Sequence, residues 1–340
     1  MTSLNTEFII PLKVVNARCE HLKINLKGLF KQIERKAIQN VKDKKKVDTI
    51  VTWDDWIASA LDCNSPGWAK KLIVGEPIPQ GLLDQLPCST GELVSLGSWL
   101  LTKNIYRFED EVAKELIKSD FEGKLPAFLI NIPDLCIYVQ TDNFELYFDN
   151  NQIVGVIFSV NELNEEKVLI YTLFLDTGLT RTIVSIVNED LDIEDCLSDF
   201  IDRFHDDSAE FHQEEVDQYQ SLQKKLINIL LWFSQTKPDY YPLIPDNHNE
   251  KVGLRTVKKE LRLFEASKYK PFVAGKETKK IISNVYKDLE NLENGDKAVK
   301  QNSKRPHLRR AHYHLYWYGK KGAYERHDFK WIPITVVGGK

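Results

Sequence analysis

Between Phe128 and Val187 the chain carries six short apolar or β-branched runs, FLINI, LCIYVQT, FELYF, IVGVIFSV, KVLIYTLFL and TRTIVSIV, and their spacing limits the fold more than any other feature. Turn signals part them: Pro133-Asp134, Asp142-Asn143, Asp149-Asn150-Asn151, Asn161 to Glu166 and Asp176-Thr177-Gly178. A parallel pair needs a crossover of about a dozen residues or more, and these gaps are too short to hold one. The runs therefore predict a mainly antiparallel sheet.

Helical patterning lies on both sides of the strands. Leu22, Ile24, Leu26, Leu29, Phe30, Ile33 and Ile38 recur at helical spacing before the basic run Lys42 to Lys46, which reads as a solvated helix end suited to the dipole. A second helix opens at the Ser89/Thr90 cap with Glu92 close behind, and a third covers Glu109 to Lys118. After the strands come a short acidic helix, Ile193 to Phe204, and a long one over 210–235 striped by Tyr219, Leu222, Leu226, Ile229, Leu230 and Phe233. Pro242, Pro245, Pro271 and Gly275 punctuate a basic connection that ends in a helical piece, Glu277 to Leu292. This order predicts an α+β fold: a helical region over 1–120, an antiparallel sheet with two helices over 121–236, a basic connecting arm over 237–300 and a basic C-terminal hairpin over 301–340.

With 340 residues and 42% apolar side chains the chain can fill a substantial core unaided. Its five cysteines are odd in number, widely spaced and without a CxxC pair, so neither a disulfide framework nor a zinc knuckle is expected, and Cys136 reads as a buried small hydrophobe. No run approaches the roughly 18 apolar residues of a membrane span, and MTSLNTEFIIPLKVV lacks the layout of a leader. The expected compartment is the cytosol, with no membrane partner.

The net charge of −4 conceals an uneven distribution, because 189–217 hold 13 Asp or Glu against Arg203 alone. From Lys304 to Trp331 the balance reverses, with eight Lys or Arg against Glu325 and Asp328. Such polarity bears on partners and steering. The basic tail also holds four of the eight histidines, His307, His312, His314 and His327, with two tryptophans and four tyrosines.

Gly319-Lys320-Lys321-Gly322 is a turn signal that lets Arg310 to Tyr318 pair with Tyr324 to Ile332. Alternation then places Ala311, Tyr313, Leu315 and Trp317 on one face and Arg310, His312, His314, Tyr316 and Tyr318 on the other. Three chemistries suit that second face. Arginines among rings hold phosphates while bases stack; His312 and His314, with His307 or His327, ligate a metal; or an extended peptide adds to the hairpin edge. A plainer alternative has the imidazoles and guanidiniums hydrogen-bond the acidic helices and pin the tail down. Catalytic templates are lacking: there is no GxSxG, P-loop or Rossmann glycine pattern, and adjacent pairs such as Asp54-Asp55 and Asp206-Asp207 suit caps better than paired-carboxylate chemistry. No cofactor and no metal are expected.

The tail residues Arg305-Pro306-His307, Arg309-Arg310, His312, His314, Tyr316-Trp317, Gly319 and Trp331, with FLINIPDLCIYV and LLWFSQTKPD, resemble the type V-A anti-CRISPR family called VA-two, found in phages and other mobile elements of bacteria. The resemblance spans roughly Gly91 to the end. It implies a protein of the host cytoplasm that recognises the beginning of the type V-A effector nuclease during synthesis and promotes loss of its messenger RNA, with the ribosome and the mRNA as further partners. The expected partner-binding residues are Arg305, His307, Arg309, Arg310, His312, His314, Tyr316, Trp317 and Trp331, with Asp199, Asp202, Asp206 and Asp207 as an acidic surface for a basic peptide. The favoured reading is a binding protein that performs no chemistry itself. The alternatives are a metal-assisted ribonuclease built on His307, His312, His314 and His327, and a general RNA- or ribosome-binding module of a mobile element.

Overall fold

A strand buried on both faces reads as a continuous apolar run, and the segment Cys136–Gln140 is buried at every residue. In the computed structural model, which describes residues 6–43, 53–64, 88–121, 124–134, 136–163, 166–196, 213–244, 252–258, 260–294, 307–321 and 323–337, that segment is the centre of an α+β fold. The elements begin with α1 (Thr6–His21), α2 (Lys23–Lys42), α3 (Trp53–Asn64), α4 (Cys88–Thr102), β1 (Asn104–Phe108), α5 (Asp110–Leu116), β2 (Asp120–Phe121), β3 (Cys136–Gln140), β4 (Tyr147–Phe148), β5 (Asn151–Leu163), β6 (Glu166–Leu175) and β7 (Thr180–Val187). They continue with α6 (Gln213–Ser234), β8 (Tyr240–Pro242), β9 (Gly253–Val257), β10 (Glu260–Phe264), β11 (Lys270–Ala274), α7 (Lys276–Asn294), β12 (His307–Arg309), β13 (His312–Lys320), β14 (Ala323–Ile332) and β15 (Thr335–Val337). No described helix is long and apolar enough to cross a membrane.

Two units divide the chain: 1–107, 132–188 and 242–272 make the first, and 108–131, 189–241 and 273–340 the second. The main sheet runs in the order β7-β6-β5-β3-β1-β11-β8, with β4 pairing off β5. From β3 through β5 and β6 to β7 every pairing is antiparallel, in registers such as Ile137↔Phe158, Phe158↔Tyr171 and Tyr171↔Ile183. The parallel pair β1–β3, Ile105↔Tyr138, has the chain from 109 to 135 as its crossover.

Two of the expected strands are not formed in full. FLINI becomes a 3-10 turn at Ala127–Leu129, because Pro126 and Pro133 bracket it and its amides are taken locally, Leu129 N by Pro126 O and Ile130 N by Ala127 O. In FELYF a turn at Phe144, with Glu145 at φ 53°, leaves Tyr147 and Phe148 alone to pair with β5.

In the first unit α4 packs against β3, β5, β6 and β7, burying Leu93, Val94, Leu96 and Trp99. Glu92, expected at a capping box, is itself buried and instead forms a part-buried ion pair with Arg18 of α1 and accepts the Thr180 hydroxyl at 2.9 Å. In α2 the residues Leu26, Leu29, Ile33 and Ala37 are buried at helical spacing.

In the second unit α6 is buried at every residue from Leu226 to Phe233, as its run LINILLWF, apolar on every side but for Asn228, requires, and Asn228 donates to the Ser119 carbonyl. Asp239 caps α7, its carboxylate accepting from Glu277 N at 3.0 Å, Thr278 N at 2.9 Å and the Thr278 hydroxyl at 2.9 Å. α7 is tied to α5 by Tyr286 to Glu115 and by Lys279 to Glu109 and Glu111.

Candidate partner-binding site

The C-terminal ribbon β13–β14 pairs in the register Tyr313↔Trp331, Leu315↔Phe329, Trp317↔His327 on one face and His312↔Ile332, His314↔Lys330, Tyr316↔Asp328, Tyr318↔Arg326 on the other. The two faces are those that alternation predicts. A bulge shifts the register between Tyr318 and Gly319, with Gly319 at φ 118°, in a backbone region that only glycine occupies without strain, and pairing resumes at Gly319↔Tyr324 and Lys320↔Ala323.

Burial grades along the ribbon from base to tip. Tyr313 is fully buried, donates its hydroxyl to Asn228 O and stacks on Phe329 at 5.3 Å, and burial holds that hydroxyl well above its usual pKa. Trp331 packs on Trp232 at 5.3 Å and donates Nε1 to Ser119 Oγ at 2.7 Å. The outer edge of β14 is fixed by the end of α6 and the residues after it: Phe329 N donates to Thr236 Oγ1, Thr236 N to Phe329 O and Trp331 N to Gln235 Oε1. At the inner edge His312 and Tyr313 pair with β2, in parallel. Each buried ring contributes about 1.5–3 kcal/mol, so the base is firmly seated.

Beyond Leu315 the side chains reach solvent. Tyr316, Trp317, Tyr318 and Tyr324 are 38%, 44%, 39% and 48% exposed. On one face Trp317 sits 5.6 Å from His327 and 5.3 Å from Tyr324, with Phe128 edge-on to both Trp317 and His327. On the other, His314 lies 4.2 Å from Tyr316, Arg326 covers Tyr318 at 4.7 Å, and Lys330 approaches Tyr316 at 5.8 Å. Lys330 pairs with Asp328 at 2.7 Å, which lowers the Asp328 pKa and raises that of Lys330 through the same hydrogen bond.

The residues expected to bind a partner thus occupy different settings. Tyr316, Trp317 and His314 belong to the ring-lined end. Trp331 is buried in the base, and His312 is buried beside β2 with Nδ1 3.0 Å from the Arg310 carbonyl. His307 and Arg309 are exposed on β12, opposite Val337 and Thr335, and Arg310 is exposed just before β13. Arg305 and the acidic group Asp199, Asp202, Asp206 and Asp207 lie outside the described residues. His327 faces away from His312 and His314, so these imidazoles do not share one face; among the described residues no three His, Cys, Asp or Glu converge as a metal site would require. Phe128 was not legible as part of this end, since its run reads as a strand and no local signal ties it to Trp317. Tyr324 and Arg326 follow from strand alternation in the ribbon once the hairpin is granted.

The arrangement offers flat exposed rings and cations on a base that does not need to reorganise. Aromatic and Arg side chains dominate binding surfaces, the rings because they bury large areas at small entropic cost and Arg because its planar fork holds anions and stacks on rings. Residues 106–339 match the model of the AcrVA2-like family, described as the anti-CRISPR type V subtype A2 family. Among solved structures, the crystal structure of AcrVA2 is similar in fold, with a TM-score of 0.59, 18% identity, 96% of this chain covered and 99% of that one. No curated protein matches.

Proposed function

Since the chain belongs to the anti-CRISPR type V subtype A2 family, we propose that it counters the type V-A CRISPR effector nuclease by recognising the start of that polypeptide during synthesis and promoting loss of its messenger RNA. It works as a binding protein of the bacterial host cytoplasm, and the decay chemistry belongs to a partner. The supporting observation is the ribbon itself: four exposed rings, Tyr316, Trp317, Tyr318 and Tyr324, beside Arg326 and Lys330, on a base closed by Tyr313 and Trp331. Rings and cations so placed stack on unpaired bases and hold phosphates, the chemistry of contact with a message or a ribosome. His307, Arg309 and Arg310 extend the same charge along β12 and the approach to β13. The acidic stretch, through Asp199, Asp202, Asp206 and Asp207, supplies the charge that a lysine-bearing nascent peptide needs.

Capture from bacteria translating the type V-A effector, with and without its first residues, tests this reading. Retention of the effector and its mRNA by the intact form alone is the expected result. Equal retention of both forms, or of neither, refutes recognition of the start. Trp317→Ala with Tyr316→Ala should release the mRNA while the peptide is still held.

A further inference from the structure

The outward side of α2 is a ladder of cations. Lys23, Lys27, Lys31 and Arg35 follow at every fourth position, all exposed, with Lys42 beyond them on the same side. Every fourth residue of a helix rises about 6 Å and advances about 40° around the axis, so the four heads trace a shallow spiral about 18 Å long. Directly opposite, Leu26, Leu29, Ile33 and Ala37 are buried in the first unit, where α2 packs on α3 and α4. The ladder is therefore held rigidly.

Like charges four apart on a helix oppose it by about 0.2–0.5 kcal/mol per pair, and the rungs of this ladder are not neutralised from within. Lys23 reaches Glu20 at 3.0 Å, but Lys27, Lys31 and Arg35 have no acidic partner among the described residues. Glu34, the acidic residue within the ladder, is turned instead to the Leu263 amide of β10 at 2.7 Å.

We infer that α2 is a docking surface for the phosphate backbone of a double-helical RNA segment. A rod of evenly spaced anions matches a rigid row of evenly spaced cations, and each neutralised phosphate releases counterions. A membrane surface fits less well: a helix that lies on lipid inserts its apolar face, and that of α2 is consumed by the core, which leaves only Ile24 and Val41, near opposite ends of the helix, as its exposed large aliphatic side chains among the described residues. An acidic peptide would look for apolar pockets or a strand edge, whereas the four rungs Lys23, Lys27, Lys31 and Arg35 are cations in a row. This surface lies in the first unit and is independent of the ribbon.

Binding of the full-length chain to a short RNA duplex of arbitrary sequence, measured across a salt series, is the test. Lys27→Ala, Lys31→Ala and Arg35→Ala together place better helix formers at exposed positions, so the fold holds, as circular dichroism would verify. The slope of log affinity against log salt should become shallower by about 2.7, or 0.9 for each cation removed. Arg326→Ala with Lys330→Ala in the ribbon should leave that α2-dependent difference in place. The inference is overturned by an unchanged slope in the triple variant, by a slope that responds to the ribbon variant alone, or by binding to phosphatidylglycerol vesicles without binding to the duplex.

Discussion

Trp317 and Trp331 share one face of one ribbon and differ in what surrounds them: the first is 44% exposed and the second 5%. Trp331→Ala removes a ring packed on Trp232 and leaves the Ser119 hydroxyl without its donor, so it should cost about 3–5 kcal/mol in chemical denaturation. Trp317→Ala should cost less than about 1 kcal/mol and show its effect in partner capture. Strand alternation reveals which residues share a face, and did so here for the first strand of the ribbon. It cannot reveal where along the face the core ends, because that depends on α6, which approaches from far away in sequence. Cys136 illustrates the opposite case, since its apolar neighbours sufficed to mark it as buried. Burial pushes its thiol up to about 12. An unfolded thiol ionises near pH 8.5, so the raised native value gives stability that is intact below about pH 8.5 and is lost as pH climbs toward 12, at up to about 1.4 kcal/mol per unit. Denaturation midpoints measured between pH 7 and pH 10 should fall accordingly, and Cys136→Ser should flatten the alkaline part of the curve. Iodoacetamide at pH 8 should label Cys136 after unfolding and spare it before, as peptide mass spectrometry would show.

Elements with a single strong period were the legible ones. α2, α6 and α7 lie within a few residues of the spans their patterns predict, and β5, β6 and β7 follow three uninterrupted runs. FLINI failed because hydrophobicity does not decide where amides find acceptors, and its flanking prolines kept them local. The close contact at Gly155 was likewise hidden, since it depends on a partner strand: a Cβ there would clash with the hydroxyl end of the buried Tyr138 side chain, beside the bulge between Ile153 and Gly155. Gly155→Ala should therefore destabilise the sheet by about 1–3 kcal/mol in denaturant titrations, through overpacking. Asp239 gives a matching prediction for a helix. It reads as part of a turn after Pro238, yet its carboxylate accepts three hydrogen bonds at the start of α7. Asp239→Ala should cost about 0.5–2 kcal/mol, with faster amide exchange in the first turn of α7, whereas Asp239→Asn should retain most of the cap.

The family match begins at residue 106, inside β1, whereas the first unit also takes in the chain before it. Its sheet is closed on one side by α4, whose Leu93, Val94, Leu96 and Trp99 are fully buried against strands from the matched region, and the Arg18–Glu92 pair ties α1 to α4 and, through Thr180, to β7. Burying those four side chains is worth about 1.5–3 kcal/mol each, a sum comparable to the whole net stability of an ordinary domain. The stretch that matches the family and the stretch that makes up the first unit thus have different bounds. A chain of residues 106–340 should accordingly express in aggregated form, or in a state with weak near-ultraviolet circular dichroism and exposed apolar surface that binds a hydrophobic dye. Leu96→Asp in the full chain should move the protein toward the same state, because it places an unpaired carboxylate at a fully buried position. If residues 106–340 instead gave a cooperative unfolding transition with the near-ultraviolet spectrum of the full chain, α4 would be dispensable to the sheet.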